Sequence, residues 1–159
     1  MALFSISNVQ LKGVAACVPA HIEDNSELAL LSPTERELFI KTIGIRYRRI
    51  VSNGTTAADL CYRAAEALIA ELQWQKEEVN VLIFISQTPD FLIPFTACTL
   101  QNRLGLSKNC MAFDIKYSCT EYLICNKTIE FFSHLPTSIV ISISHIKFAI
   151  SELLQVFWR

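Results

Sequence analysis

Glycine is scarce in this sequence, with four residues in 159 where average usage would place roughly eleven. Few positions can therefore depend on a left-handed backbone or on close approach of two backbones. Charge is scarce as well. Charged residues make up 18%, and 14 Lys+Arg against 15 Asp+Glu leave a net charge of −1. No broad basic field is available to hold a nucleic-acid backbone or an anionic membrane surface, and neither partner is expected. The six cysteines form no CxxC pair and share no ligand spacing with the three histidines. Neither a zinc site nor a disulfide framework follows, and no metal or cofactor is expected. Five of the cysteines read as plain buried thiols. No repeat, low-complexity tract or linker interrupts the chain, so residues 1–159 are expected to form a single domain. The opening Met-Ala-Leu-Phe-Ser-Ile-Ser-Asn lacks the basic and continuously apolar stretches of a secretory signal. With free thiols, that makes the cytoplasm the expected compartment.

Apolar residues are abundant at 52%, which excludes disorder and suffices for a sizeable core. The most apolar window, Ser138 to Phe157, has the length of a membrane span, but His145, Lys147 and Glu152 lie inside it. Charges there are costly in lipid, so membrane insertion is not expected.

Local patterning predicts alternating strands and helices. Leu11 to Val18 reads as a strand closed by Pro19, and Ser26 to Leu31 as a short helix. Ser32-Pro33-Thr34-Glu35 is a capping box with proline at the first helical position, and Gly44 stops the helix that follows. Arg48 to Val51 suits a short strand, and Asn53-Gly54 a turn. Thr56 and Asp59 cap a helix in which Leu60, Ala64, Leu68 and Leu72 recur every fourth residue. The apolar run Val79 to Ile85 suits a parallel strand covered on both sides. Pro94 opens a helix from Phe95 to Leu104 with Gly105 as its cap. Met111 to Ile115 is a short strand, Cys119 to Phe132 has helical spacing, and Ser138 to Ser144 alternates as a strand. This pattern is α/β, a mostly parallel sheet with helices on both faces.

In such sheets ligands bind beyond the carboxyl ends of strands. That rule selects Phe113 to Thr120, where Cys119 follows a strand at a helix start. Unpaired N–H groups and the helix dipole there favour a thiolate nucleophile; the competing reading is a buried structural cysteine.

At these residues the sequence resembles a known family. Leu11-Lys-Gly-Val-Ala-Ala-Cys-Val-Pro19, Thr42-Ile-Gly-Ile-Arg-Tyr-Arg-Arg-Ile50, Pro94-Phe-Thr-Ala-Cys98 with Gln101-Asn-Arg-Leu-Gly105, and Ala112-Phe-Asp-Ile115 followed by Cys119 resemble, in order and spacing, the N-terminal half of 3-oxoacyl-(acyl-carrier-protein) synthase III. This is a ketoacyl synthase of the thiolase superfamily, and the match runs from about residue 8 to Tyr122. The resemblance implies a thiolase-like βαβα half and a cytoplasmic homodimer. It further implies an acyltransferase of fatty-acid or related biosynthesis. In that chemistry the cysteine matching Cys119 takes an acyl group from acyl-CoA and condenses it with malonyl-acyl-carrier protein, releasing CO2. The family's catalytic histidine and asparagine belong to its second half, which these 159 residues do not span. A truncated or frame-disrupted copy, inactive alone, is the expectation, with association with the missing half as a possible partnership.

The resemblance also marks substrate positions and departures. Leu38 and Thr42 stand where the family has an aromatic and an arginine against the CoA adenine, and Ile93 stands at an acyl-pocket position of the neighbouring subunit. Glu121, two residues after Cys119, either raises the thiol pKa by like charge or is an ordinary first-turn helix carboxylate. The segment after Ser138 is apolar but carries no family motif. Arg46, Arg48 and Arg49 read either as a site for an anionic phosphopantetheine or as a solvated face. Two other functions stay open. One is a catalytically dead fragment acting only by association with a full-length relative. The other is a hydrolase or transferase pairing Cys119 with His145 as base.

Overall fold

The computed structural model describes residues 10–86, 89–116, 139–144 and 152–158. Its strands are β1 (Gln10–Cys17), β2 (His21–Asp24), β3 (Tyr47–Ile50), β4 (Val79–Ile85), β5 (Met111–Ile115), β6 (Ile139–Ser144) and β7 (Glu152–Trp158). Its helices are α1 (Pro33–Ile43), α2 (Ala57–Glu71) and α3 (Thr96–Leu104).

The helix ends follow local chemistry. At α1 the Glu35 carboxylate accepts from the Ser32 N–H at 2.8 Å and from its hydroxyl at 2.6 Å. These bonds hold the Glu35 carboxyl below its usual range. Pro33 fills a position where a missing N–H is harmless, and Gly44 ends the helix in the left-handed region at φ 73°. At α2 the Asp59 N–H donates to Thr56 Oγ1 at 3.3 Å, while the Thr56 N–H donates to Asp59 Oδ2 at 3.0 Å.

The expected helix over Ser26 to Leu31 is corrected to a single 3-10 turn, Asn25–Glu27. The turn is capped locally and tied down by longer-range side-chain bonds. Asp24 accepts the Ser26 N–H at 2.8 Å, and the buried Asn25 amide donates to Ile45 O at 2.9 Å. Arg36 then donates to the carbonyls of Ser26, Leu28 and Leu31, tying the turn and the chain after it to α1.

The main sheet has the order β1-β7-β6-β4-β5. β4 pairs in parallel with both β5 and β6, whereas β7 runs antiparallel to β6 and to β1. Two of the four pairings are parallel and two antiparallel, so β1, β6, β4 and β5 run in one direction and β7 runs against them. The segment after Ser138 carries more structure than its lack of motif implied, because Glu152–Trp158 forms β7 and lies between β1 and β6. β2 and β3 make a separate antiparallel ribbon, of which only β3 was visible in the residue pattern.

Helices α2 and α3 share one face of the sheet. Cys61, Ala64, Ala65 and Leu68 of α2 and Ala97, Leu100 and Leu104 of α3 pack with Leu82 and Phe84 of β4. Ala15 and Cys17 of β1 close the edge of this cluster. Strand alternation turns Val81, Ile83 and Ile85 to the opposite face, where they are equally buried. The expected helix over Cys119 to Phe132 lies outside the described residues. Among the described residues no helix is long and apolar enough to cross a membrane.

Candidate functional site

β4 and β5 end side by side, paired from Val81 with Met111 to Ile85 with Ile115. The Ser86 N–H extends the pairing by donating to Ile115 O at 3.1 Å. Ligand sites of α/β sheets form beyond such strand ends. The described part of β5 and its exit stops at Lys116. Cys119, Glu121 and His145, the expected nucleophile, its acidic neighbour and the alternative base, lie outside the described residues.

The best-defined feature of this edge is the start of α3. Its N-cap residue is Phe95, which makes no side-chain capping bond. The cap comes instead from β5. Asp114 Oδ2 accepts from the Thr96 N–H at 2.9 Å, and Oδ1 accepts from the Ala97 N–H at 2.8 Å. Alternation along β5 puts Asp114 on the same face as Ala112, which packs in the α2/α3 core. A carboxylate there also meets the positive end of the helix dipole. Beside it the Thr96 hydroxyl is buried with no hydrogen-bond partner among the described residues. Asp114 was visible in the sequence only as part of a motif, since nothing local signals a cap supplied 18 residues away.

The segment entering α3 contains a cis Ile93–Pro94 bond. Phe91, Leu92 and Ile93 are 61%, 73% and 86% exposed, so Ile93 is not a core isoleucine. Leu38 and Thr42 sit one helical turn apart on α1 and both face solvent. α1 packs against the 3-10 turn, whereas α3 packs on the sheet and on α2. The candidate substrate positions therefore stand on different elements.

The basic run is engaged within the ribbon. Arg46 Nε bonds Asp24 Oδ2 at 3.2 Å, and Arg48 bonds Glu23 at 2.5 Å and Asn25 Oδ1 at 2.8 Å. Arg49 Nη1 donates to Pro19 O at 2.8 Å. These contacts favour the structural reading of the three arginines. The Ser26 backbone N–H and Arg46 hold the Asp24 carboxyl below its usual range. His21 opens β2 on the surface, 3.6 Å from Glu23.

The described cysteines differ in setting. Cys61 and Cys110 are buried, and burial pushes the Cys110 thiol up to about 11. Cys98 is exposed and Cys17 half-buried, which corrects the expectation that both are plain buried thiols. Among the described residues no three His, Cys, Asp or Glu side chains gather as metal ligands.

No protein-family model matches the chain. Beta-ketoacyl-[acyl-carrier-protein] synthase III of Syntrophomonas wolfei is 34% identical over 115 residues, 72% of this chain and 34% of that protein. The protein of the same name from Aliarcobacter butzleri is 38% identical over 113 residues, 70% of this chain and 34% of its own length. The crystal structure of 3-oxoacyl-(acyl-carrier protein) synthase from Burkholderia xenovorans LB400 superimposes with a TM-score of 0.83 at 27% identity. That superposition covers 96% of this chain and 49% of the other. The chain spans about a third of the length of these curated relatives.

Proposed function

Because the chain is homologous to the N-terminal portion of the beta-ketoacyl-[acyl-carrier-protein] synthase III enzymes, we propose that it carries the acyl-accepting part of a condensing enzyme, with Cys119 as nucleophile. The observation that carries this reading is the junction of β5. A parallel strand ends at Ile115 next to the capped start of α3, and the chain then runs through Lys116 into the segment with Cys119.

In this mechanism the Cys119 thiolate attacks the thioester carbonyl of acyl-CoA. The carbon–sulfur bond to CoA breaks, CoA leaves as the thiolate, and the acyl group stays on Cys119. Malonyl-acyl-carrier protein then loses CO2, and its carbanion attacks the acyl-cysteine. The 3-oxoacyl product departs on the carrier protein and the Cys119 thiolate is regenerated. Splitting one acyl transfer into two steps is the advantage of covalent catalysis. Ile93 is the proposed acyl-chain contact, its exposure fitting a position that reaches into a neighbouring subunit. Leu38 and Thr42 are the proposed CoA-facing positions on α1, where neither supplies an aromatic stack or a guanidinium. Acyl-CoA and the carrier protein are the proposed substrates, and a homodimer, or association with a chain that carries the family's second half, the proposed assembly.

A second reading is association with a full-length relative without turnover. The exposed Phe91, Leu92 and Ile93 favour it. One experiment separates the two. A polypeptide of these 159 residues is incubated with acetyl-CoA and malonyl-acyl-carrier protein, and both covalent acyl-enzyme and 3-oxoacyl product are followed. Acyl-enzyme that disappears in Cys119→Ala is expected. Product is not expected, because loss of even one oxyanion donor costs on the order of 100-fold to 1000-fold. An unacylated Cys119 would leave the association reading in place.

A further inference from the structure

We propose that Asp114 is a positioning residue for acyl transfer, holding Ile93 and the end of β5 in one fixed relation. The proposal rests on the reading of Cys119 given above. The other helix caps of the described chain are local, with Ser32 and Glu35, or Thr56 and Asp59, three residues apart. A local cap fixes only its own helix. The cap of α3 is supplied by β5 across 18 residues of sequence, so it fixes a helix against a strand.

Both attachments of that clamp lie close in sequence to the residues of the proposed chemistry. Thr96 follows Ile93 by three residues, and Cys119 follows Asp114 by five. Thr96 and Ala97 are 1% and 0% exposed, so water has no ready access to replace the carboxylate. Removing it leaves two buried N–H groups unserved. The start of α3 must then shift to find other acceptors, carrying Pro94 and Ile93 with it and releasing the end of β5. Asp114→Asn retains one carbonyl oxygen but sets a donor against the other N–H, so it is a partial rescue.

The test compares Asp114→Ala and Asp114→Asn with Thr56→Ala, which removes a cap from α2. Amide hydrogen exchange and loading of Cys119 from acetyl-CoA and from a longer acyl-CoA are measured, with Tm recorded for each variant. Asp114→Ala is expected to speed exchange at residues 91–97 and in the peptide containing Cys119. It should lower acetyl loading by about tenfold, the scale of lost charged hydrogen bonds, and change the ratio of acetyl to longer-chain loading. Asp114→Asn should fall between it and the wild type, while Thr56→Ala leaves the ratio unchanged. If Asp114→Ala fails to fold, Asp114→Asn carries the comparison. Loading and exchange in the Asp114 variants equal to those of Thr56→Ala at matched Tm would overturn the positioning role alone. No loading in the wild type would overturn acyl transfer itself, and the positioning role with it.

Discussion

Gly13 faces Leu68 so closely that a methyl group in its place would stand 2.9 Å from Leu68 Cδ1. The approach lies between β1 and α2. Leu68 is 5% exposed, and Leu72 closes the other side at 3.5 Å. Gly13→Ala is expected to be close to neutral, since the leucine tip can yield and the unfolded chain loses freedom. Gly13→Val should cost about 1–3 kcal/mol by overpacking. Urea unfolding of the two variants checks the contrast, which a loosely packed β1 would abolish.

Acid should weaken the α2/α3 junction through Asp59. The Thr56 backbone N–H and then Arg103 hold its carboxyl below the usual range. Arg103 Nη2 lies 2.9 Å from Asp59 Oδ1 and its guanidinium 4.8 Å above the Tyr62 ring. A carboxyl with a lowered folded pKa binds its proton first in the unfolded chain. Its stabilisation is therefore complete above the ordinary aspartate value of ~3.9 and is lost as pH falls through the folded value. Tm should drop below about pH 4, less steeply in Asp59→Asn than in the wild type. Equal slopes would assign the acid response to other carboxylates.

Alkylation should rank the thiols. Cys119 is expected to react fastest if it starts a helix, followed by the exposed Cys98 and then Cys17. With its pKa pushed up to about 11, Cys110 holds roughly one thiolate in a thousand near pH 8. It should stay unlabelled until unfolding, as should the buried Cys61. Peptide mapping after limited iodoacetamide treatment gives the order, and labelling of Cys98 ahead of Cys119 would remove the case for an activated nucleophile.

The exposed run Phe91, Leu92, Ile93 should drive association. Contiguous apolar surface beyond a few hundred Å2 is unusual on a monomer. Sedimentation velocity at micromolar concentration is expected to show oligomers that diminish in a Leu92→Ser, Ile93→Ser double variant. A monomeric wild type would contradict this.

Much of the fold was legible where its causes are local. The caps at Ser32 and Thr56, the stop glycines Gly44 and Gly105, and the apolar run of β4 each act within a few residues. β2 was not legible because His-Ile-Glu-Asp has no alternation of its own. It is held by register with β3, where Glu23 meets Arg48. β7 gave no signal either, since its partners β1 and β6, not its own turn residues, define it. The candidate site divides the same way. Residue types and spacing point to the end of β5, and the family resemblance points to Ile93, Leu38 and Thr42. The carboxylate that joins α3 to that strand depends on a contact only the folded chain makes.

The place of β7 in the sheet also shapes how the chain must be made. Among the described residues every pairing of β1 in the sheet is with β7, from Gln10 with Trp158 to Cys17 with Glu152. At synthesis rates of about 5–20 residues per second, β1 leaves the ribosome roughly 7–27 s before its partner exists. Through that interval Leu11 and Val14 belong to an unpaired strand. The nascent chain is therefore a stronger client for holding chaperones than its finished sheet would suggest.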